Sequence, residues 1–141
     1  MAGITVAQAQ AILDKEFAPW VRALDITIET IGAEGARLRM KYGDHLTRAG
    51  GMICGQSLMS LADTAMVFAV CGAAGGYKPM TTVGQATSLM RPISGIDVIA
   101  EARVIRLGRT LAFGEVVMRG DGEDRTAVHA TTTFAFLPEK K

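Results

Sequence analysis

The sequence predicts an α+β fold in which a long central helix is wrapped by a curved six-stranded antiparallel sheet, with a short helix ahead of both. Three observations carry this expectation. The stretch from about Gly55 to Ala74 is apolar around most of its circumference, six other segments alternate apolar and polar residues, and 141 residues leave room for one core only. A helix that apolar cannot stand in water, and six strands supply the surface that hides it.

The elements follow in chain order. Thr5 with Gln8 three residues on is a capping-box pattern, and Val6, Ala9, Leu13 and Phe17 recur at helical spacing until Pro19. Leu24, Ile26 and Ile28 then alternate with polar residues. After Gly32 to Gly35, so do Ala36, Leu38, Met40 and Tyr42, which predicts a hairpin. Beyond a loop with Gly43, Gly50 and Gly51, the residues Leu58, Leu61, Ala62, Ala65, Phe68 and Ala69 give the central helix its broad apolar face, and Gly72, Gly75 and Gly76 end it. Four alternating segments, Thr81 to Met90, Val98 to Leu107, Leu111 to Arg119 and Thr126 to Leu137, read as an antiparallel meander. Helix, two strands, buried helix, four strands is the outline of a hotdog fold, expected as one domain over residues 1–141 with the opening helix inside residues 1–20.

Composition narrows the function. Lys plus Arg is 15 and Asp plus Glu 14, a balance that offers nothing to a polyanion, so no nucleic-acid partner is expected. Hydrophobic residues at 49% against 21% charged are many for a small monomer, and part of the surface is expected to meet another subunit. Two cysteines and two distant histidines make neither a disulfide scaffold nor a metal set, which fits a reducing, cytoplasmic compartment. Met1 to Gln10 lacks a basic stretch followed by an apolar run, so no secretion signal is expected, and the glycine-broken run Ala49 to Tyr77 reads as a core helix rather than a membrane span.

Between Arg48 and Lys78 the only charged residue is Asp63, in the middle of the most apolar helix. It is either a helix-surface carboxylate on the narrow polar face Gln56, Ser60, Asp63 or a partly desolvated nucleophile or general base aimed at a substrate. Eight residues earlier, Gly55 and Gln56 open the same helix. Their backbone N–H groups are ready donors for developing negative charge, and glycine lets a carbonyl come close. Eight residues of helix span roughly 12 Å, too far for both groups to act on one carbonyl carbon. The arrangement makes sense if two subunits exchange them across a two-fold axis.

The runs Arg48-Ala49-Gly50-Gly51 and Cys54-Gly55-Gln56-Ser57-Leu58-Met59-Ser60-Leu61-Ala62-Asp63-Thr64-Ala65, then Arg91-Pro92 and Leu107-Gly108-Arg109, resemble the PaaI-like acyl-CoA thioesterases of the hotdog superfamily, over about Gly43 to Leu137. The resemblance implies thioester hydrolysis with Asp63 as the catalytic carboxylate, the Gly55 amide polarising the thioester from the facing subunit, an assisting hydroxyl at Thr82, and no cofactor. The family often has His-Gly-Gly where this chain has Cys54-Gly55-Gln56, and Asn where it has Arg48. An acyl-CoA-binding or sensing module without catalysis is therefore the rival expectation. A hydratase is weaker, because no histidine stands near the carboxylate in the helix.

Arg91, Arg106 and Arg109 fall at strand ends, where they either meet the phosphates of coenzyme A or remain solvated turn charges. Arg48 is expected beside Asp63 in the cleft, with an outward position towards a phosphate as the alternative. Cys54 at a helix start is a conceivable thiolate, but a small buried cysteine is the plainer reading. Ser57 reads as a helix-start residue, and His45 and His129 as ordinary polar or packed side chains. Homodimers pairing into homotetramers are the expected assembly, with no membrane partner.

Overall fold

The computed structural model describes residues 3–138; the ends of the expected 1–141 domain and of its 1–20 opening segment lie outside them. Helix α1 (Val6–Glu16) starts on the expected capping box: the Gln8 amide donates to Thr5 Oγ1 at 3.1 Å, and the Thr5 amide donates to Gln8 Oε1 at 2.9 Å. Its buried Ala9 and Leu13 face the sheet, and Phe17 just beyond stacks on Phe68 with 5.5 Å between ring centroids. The first helix ends before Pro19, as expected, and Phe17 and Ala18 have extended ψ. Pro19 sits at the first position of a four-residue helix, α2 (Pro19–Arg22), where its missing N–H costs nothing.

Six antiparallel strands form one sheet: β1 (Ile26–Gly32), β2 (Gly35–Met40), β3 (Met80–Leu89), β4 (Val98–Leu107), β5 (Leu111–Gly120) and β6 (Val128–Phe136). The spatial order is β1-β2-β4-β5-β6-β3, which corrects the expected four-strand meander: only β4, β5 and β6 form one. The segment between β3 and β4 does not turn back on itself. It crosses the end of the central helix, where Ile53 N–H donates to the Ile93 carbonyl at 2.8 Å and Met52 bridges Ser94, and so delivers β4 beside β2. β3 is left to pair with β6 at the sheet's edge.

The concave face closes on α3 (Gly55–Ala74), the long apolar helix of this hotdog fold. Leu61, Ala65, Phe68 and Ala69 are fully covered, packed in one core with Leu38, Val98, Val116, Met118 and Phe134. Each large side chain removed from water in this way contributes about 1.5–3 kcal/mol. α3 is long and apolar enough to cross a membrane by length and composition, but two-thirds of its apolar window is buried within the protein. Gly72 allows the closest approach of helix and sheet, since a Cβ there would stand 2.2 Å from the Gly32 carbonyl oxygen. The sheet does not cover the whole of α3. Gln56, Met59, Ser60 and Asp63 form a stripe that it leaves at least partly open, beside the exposed edge strand β3, whose Val83 and Leu89 are more than half or half exposed.

Candidate active site

Asp63 lies on the open stripe of α3, and its Oδ1 accepts a 2.6 Å hydrogen bond from Thr82 Oγ1 on β3. The two line a shallow depression of ≈ 360 Å³ with Gln56, Met59, Ser60 and Gln85. A β-bulge builds this arrangement. Register shifts between Thr82 and Gly84, so Thr82 opposes the buried Phe134 and Gln85 opposes the buried Thr132, which puts both on the helix side although they are three residues apart. Gln85 is then fixed from two sides: Nε2 donates to the Met59 carbonyl at 3.3 Å, and Oε1 accepts from Thr87 Oγ1 at 3.0 Å. One carboxylate oxygen of Asp63 is thus anchored on Thr82 in a pocket with no cation in its lining.

The other end of the same α3–β3 seam is built from Arg48-Ala49-Gly50-Gly51. Arg48 N–H donates to the Met52 carbonyl at 2.8 Å, Gly51 N–H to the Arg48 carbonyl at 3.1 Å, and Thr47 bridges Ile53. Gly50 and Gly51 have φ of 92° and 81°, a left-handed backbone that glycine adopts without strain. This tight turn folds Arg48 back towards the start of α3, where Cys54 is the N-cap with extended backbone and supplies no side-chain cap. Arg48 and Gly55 line one groove of ≈ 400 Å³ with Met52, Leu58, Leu89 and Arg91 among its other walls. A Cβ on Gly55 would stand 2.8 Å from Leu89 Cδ1, so glycine leaves the amide end of the helix accessible beneath that side chain. Burial pushes the Cys54 thiol up, but the Ser57 hydroxyl and the backbone amides of Ser57, Gln56 and Cys54 outweigh it and hold the thiol below the ordinary cysteine range.

A carboxylate anchored on a hydroxyl, and open helix amides two turns away, are parts suited to acyl transfer. The family model of the thioesterase superfamily matches residues 50–127, which contain α3 and the residues of both depressions except Arg48. The chain belongs to the thioesterase superfamily. Thioester hydrolysis is the activity of that superfamily. Solved structures similar to this thioesterase chain include a Haemophilus influenzae thioesterase (19% identity over 97% of this chain and 95% of that one, TM-score 0.84). Zebra fish thioesterase superfamily member 2 is also similar (21% identity, 94% and 98% covered, TM-score 0.82), as is a thioesterase family protein from Silicibacter pomeroyi (24% identity, 94% and 98% covered, TM-score 0.81). At these identities they show the shared fold. No curated protein matches the chain.

Within one protomer the thioesterase's expected site residues fall into two sets. Asp63, Thr82 and the Gln56 side chain meet in the first depression; Gly55, Arg48 and Arg91 share the groove, and Cys54, the N-cap of α3, is in the lining of neither. Arg48 is therefore not beside Asp63 in the protomer, and no ion pair joins them among the described residues. The first two turns of α3 lie between. Arg109 occupies the β4–β5 turn, at the opposite end of the sheet from Arg91, and borders neither depression. The histidines have ordinary partners: His45 Nε2 lies 2.9 Å from the Ala23 carbonyl oxygen, and His129 Nε2 lies 3.1 Å from Glu115 Oε2 on the outer face. Ser57 Oγ donates to the Cys54 carbonyl at 2.8 Å, as a helix-start serine does. Gln85 was not among the expected residues; Gly84, an isolated glycine inside a strand pattern, was the one sign of the bulge that aims it.

Proposed function

We propose that the protein is a PaaI-like acyl-CoA thioesterase that releases free acid and coenzyme A, working as a cytoplasmic homodimer that pairs into homotetramers. In this reading the thioester carbonyl lies against the amides of Gly55 and Gln56, which donate to the oxyanion as the carbonyl carbon becomes tetrahedral. Asp63 of the facing subunit takes a proton from the attacking water, or attacks that carbon itself to give an anhydride that water then hydrolyses to the free acid; in both, the carbon–sulfur bond breaks to release the thiolate. Thr82 holds Asp63 through one oxygen and leaves the other for the reaction. Arg48, Cys54 and Arg91 are the substrate-binding residues, Arg109 being left out by its place at the far end of the sheet, and no metal or redox cofactor takes part.

The observation that carries the proposal is the 2.6 Å Thr82–Asp63 contact on the uncovered stripe of α3 in a chain of this superfamily. The separation of Asp63 from Gly55 along the helix supports a shared site, and so does the exposed edge of β3, a strand that a second copy can extend or cover. The test is free-thiol release from a panel of acyl-CoA thioesters by the native protein and by Asp63→Asn. Hydrolysis that falls by about 10² or more in the variant is expected for loss of a nucleophile or base. Binding without thiol release from any member of the panel would favour the sensing module instead.

A further inference from the structure

The Gly55 groove carries positive charge only. Its lining holds two guanidinium groups, Arg48 and Arg91, and no acidic residue; the remainder is largely apolar, with Met52, Leu58, Leu89 and Ile93. On the outer face of the sheet Arg37, Arg39, Arg103 and Arg119 are all engaged by carboxylates. Among the described residues neither Arg48 nor Arg91 has an ion-pair partner. Arg91 also borders a neighbouring depression with Glu123, Asp124 and Arg125, which leaves Arg48 as the cation committed to this groove.

Two free cations over an apolar floor select an anion, and the position of Arg48 says which part of a thioester can supply it. The pantetheine arm separates the sulfur from the nearest phosphate by the length of about four extended residues, roughly 15 Å. Arg48 shares a groove of only ≈ 400 Å³ with Gly55, and the Gly50–Gly51 turn pins its backbone against Met52 just before the helix. With the carbonyl at Gly55, the nearest phosphate is roughly 15 Å further along the carrier, whereas a charged group a few methylenes along the acyl chain stays beside Gly55, in the groove that Arg48 lines. We propose that the groove binds a carboxylate on the acyl group, with Arg48 as its principal partner and Arg91 as the second, so that the substrates are monothioesters of short dicarboxylic acids. The apolar floor packs the intervening methylenes, and the low dielectric of such walls strengthens the guanidinium–carboxylate pair. This rests on the thioesterase reading above.

The test compares acyl groups matched in length: succinyl, glutaryl and adipoyl thioesters against butanoyl, pentanoyl and hexanoyl, each on coenzyme A and on phosphate-free pantetheine. The quantity read is the ratio of kcat/KM for the carboxylated over the methyl-ended partner. The ratio is expected to favour the carboxylated partner by about tenfold or more on both carriers, from one charge-assisted contact. It should collapse towards one in Arg48→Met and recover in part in Arg48→Lys. A ratio of one or less in the native protein overturns the inference while leaving the thioesterase intact. So does a ratio unchanged in Arg48→Met, or a loss of kcat/KM in Arg48→Met that appears on coenzyme A but not on pantetheine whatever the acyl group, which would assign the arginines to the nucleotide phosphates. No thiol release from any thioester is a separate result, which removes the thioesterase reading and this inference with it.

Discussion

The two ends of the α3–β3 seam are opposites. At one, a carboxylate rests on a threonine hydroxyl in a depression without a cation; at the other, two arginines and the open amides of a helix start surround a groove without an acid. One helix carries both, yet its rise keeps them about 12 Å apart. The contrast shows how a single chain can hold a carboxylate and a cationic groove with open helix amides without their neutralising each other within one copy. Within one copy of the chain, two helical turns keep Asp63 out of the groove that holds Arg48. In the dimer proposed above, the halves become one site when a second copy turns its Asp63 end towards the first copy's Gly55 end.

The largest expected effects come from disabling one end at a time. Gly55→Pro removes the amide hydrogen at the first position of α3, a place where proline is accepted, and Cys54 already has the extended backbone (φ −72°, ψ 148°) that a residue before proline requires. The fold should survive, as circular dichroism would report, while kcat falls by about 10²–10³, as for loss of one oxyanion donor. Unchanged turnover would remove Gly55 from the reaction. Mixing Gly55→Pro with Asp63→Asn after dissociation and reassociation tests whether the ends belong to one site. Shared sites predict recovery to about a quarter of native activity, because half of the dimers are mixed and each of those keeps one undamaged site. No recovery, with mixed dimers demonstrated, would mean that each protomer works alone.

Much of this contrast was legible in the sequence, because its parts are local. Asp63 stood out as the only charge in a run of apolar residues, and Gly55 as a glycine at a helix start; both are statements about neighbours along the chain. All six strands could be placed from alternation for the same reason. Long-range pairing could not. The partner of β3 depends on where residues 91–97 cross the end of α3, and an alternating pattern reads the same beside β6 as beside β4. Gln85 was hidden likewise, since strict alternation puts residues 82 and 85 on opposite faces until the bulge at Val83 reverses the count. Arg48 was misplaced because seven residues of sequence distance say nothing about which side of a helix start the side chain will take.

A smaller effect sharpens the carboxylate end. Thr82→Val keeps the shape of the side chain and deletes the donor to Asp63 Oδ1. If the hydroxyl positions the carboxylate, kcat should drop by about three- to tenfold, the worth of one hydrogen bond, with KM little changed, and Thr82→Ser should recover most of it. A rise confined to KM would instead make Thr82 a substrate contact. The Gly55 end should be untouched, so the ratio of carboxylated to methyl-ended substrates should stay constant in Thr82→Val.

The smallest effect separates the seam from the framework that carries it. On the outer face Arg39 gathers Glu29 at 2.8 Å, Asp97 at 3.0 Å and Asp121 at 2.7 Å, tying β2 to β1, to the start of β4 and to the end of β5. The Arg39 guanidinium holds the carboxyls of Glu29 and Asp121 below their usual range, against a smaller opposing push from burial. A carboxyl whose pKa is lowered by folding stabilises the native state above its unfolded pKa, and that contribution is lost as pH falls through the folded value. Melting temperature should therefore decline as pH drops through and below the ordinary carboxylate range, and Arg39→Met should flatten the decline by a modest amount, since these groups are partly exposed and screened. At neutral pH the same variant should leave kcat and the preference for carboxylated acyl groups as they are, because the cluster lies on the convex side of the sheet from α3. A change in either would mean that the outer face and the seam are mechanically coupled, and that the separation drawn between framework and site is wrong.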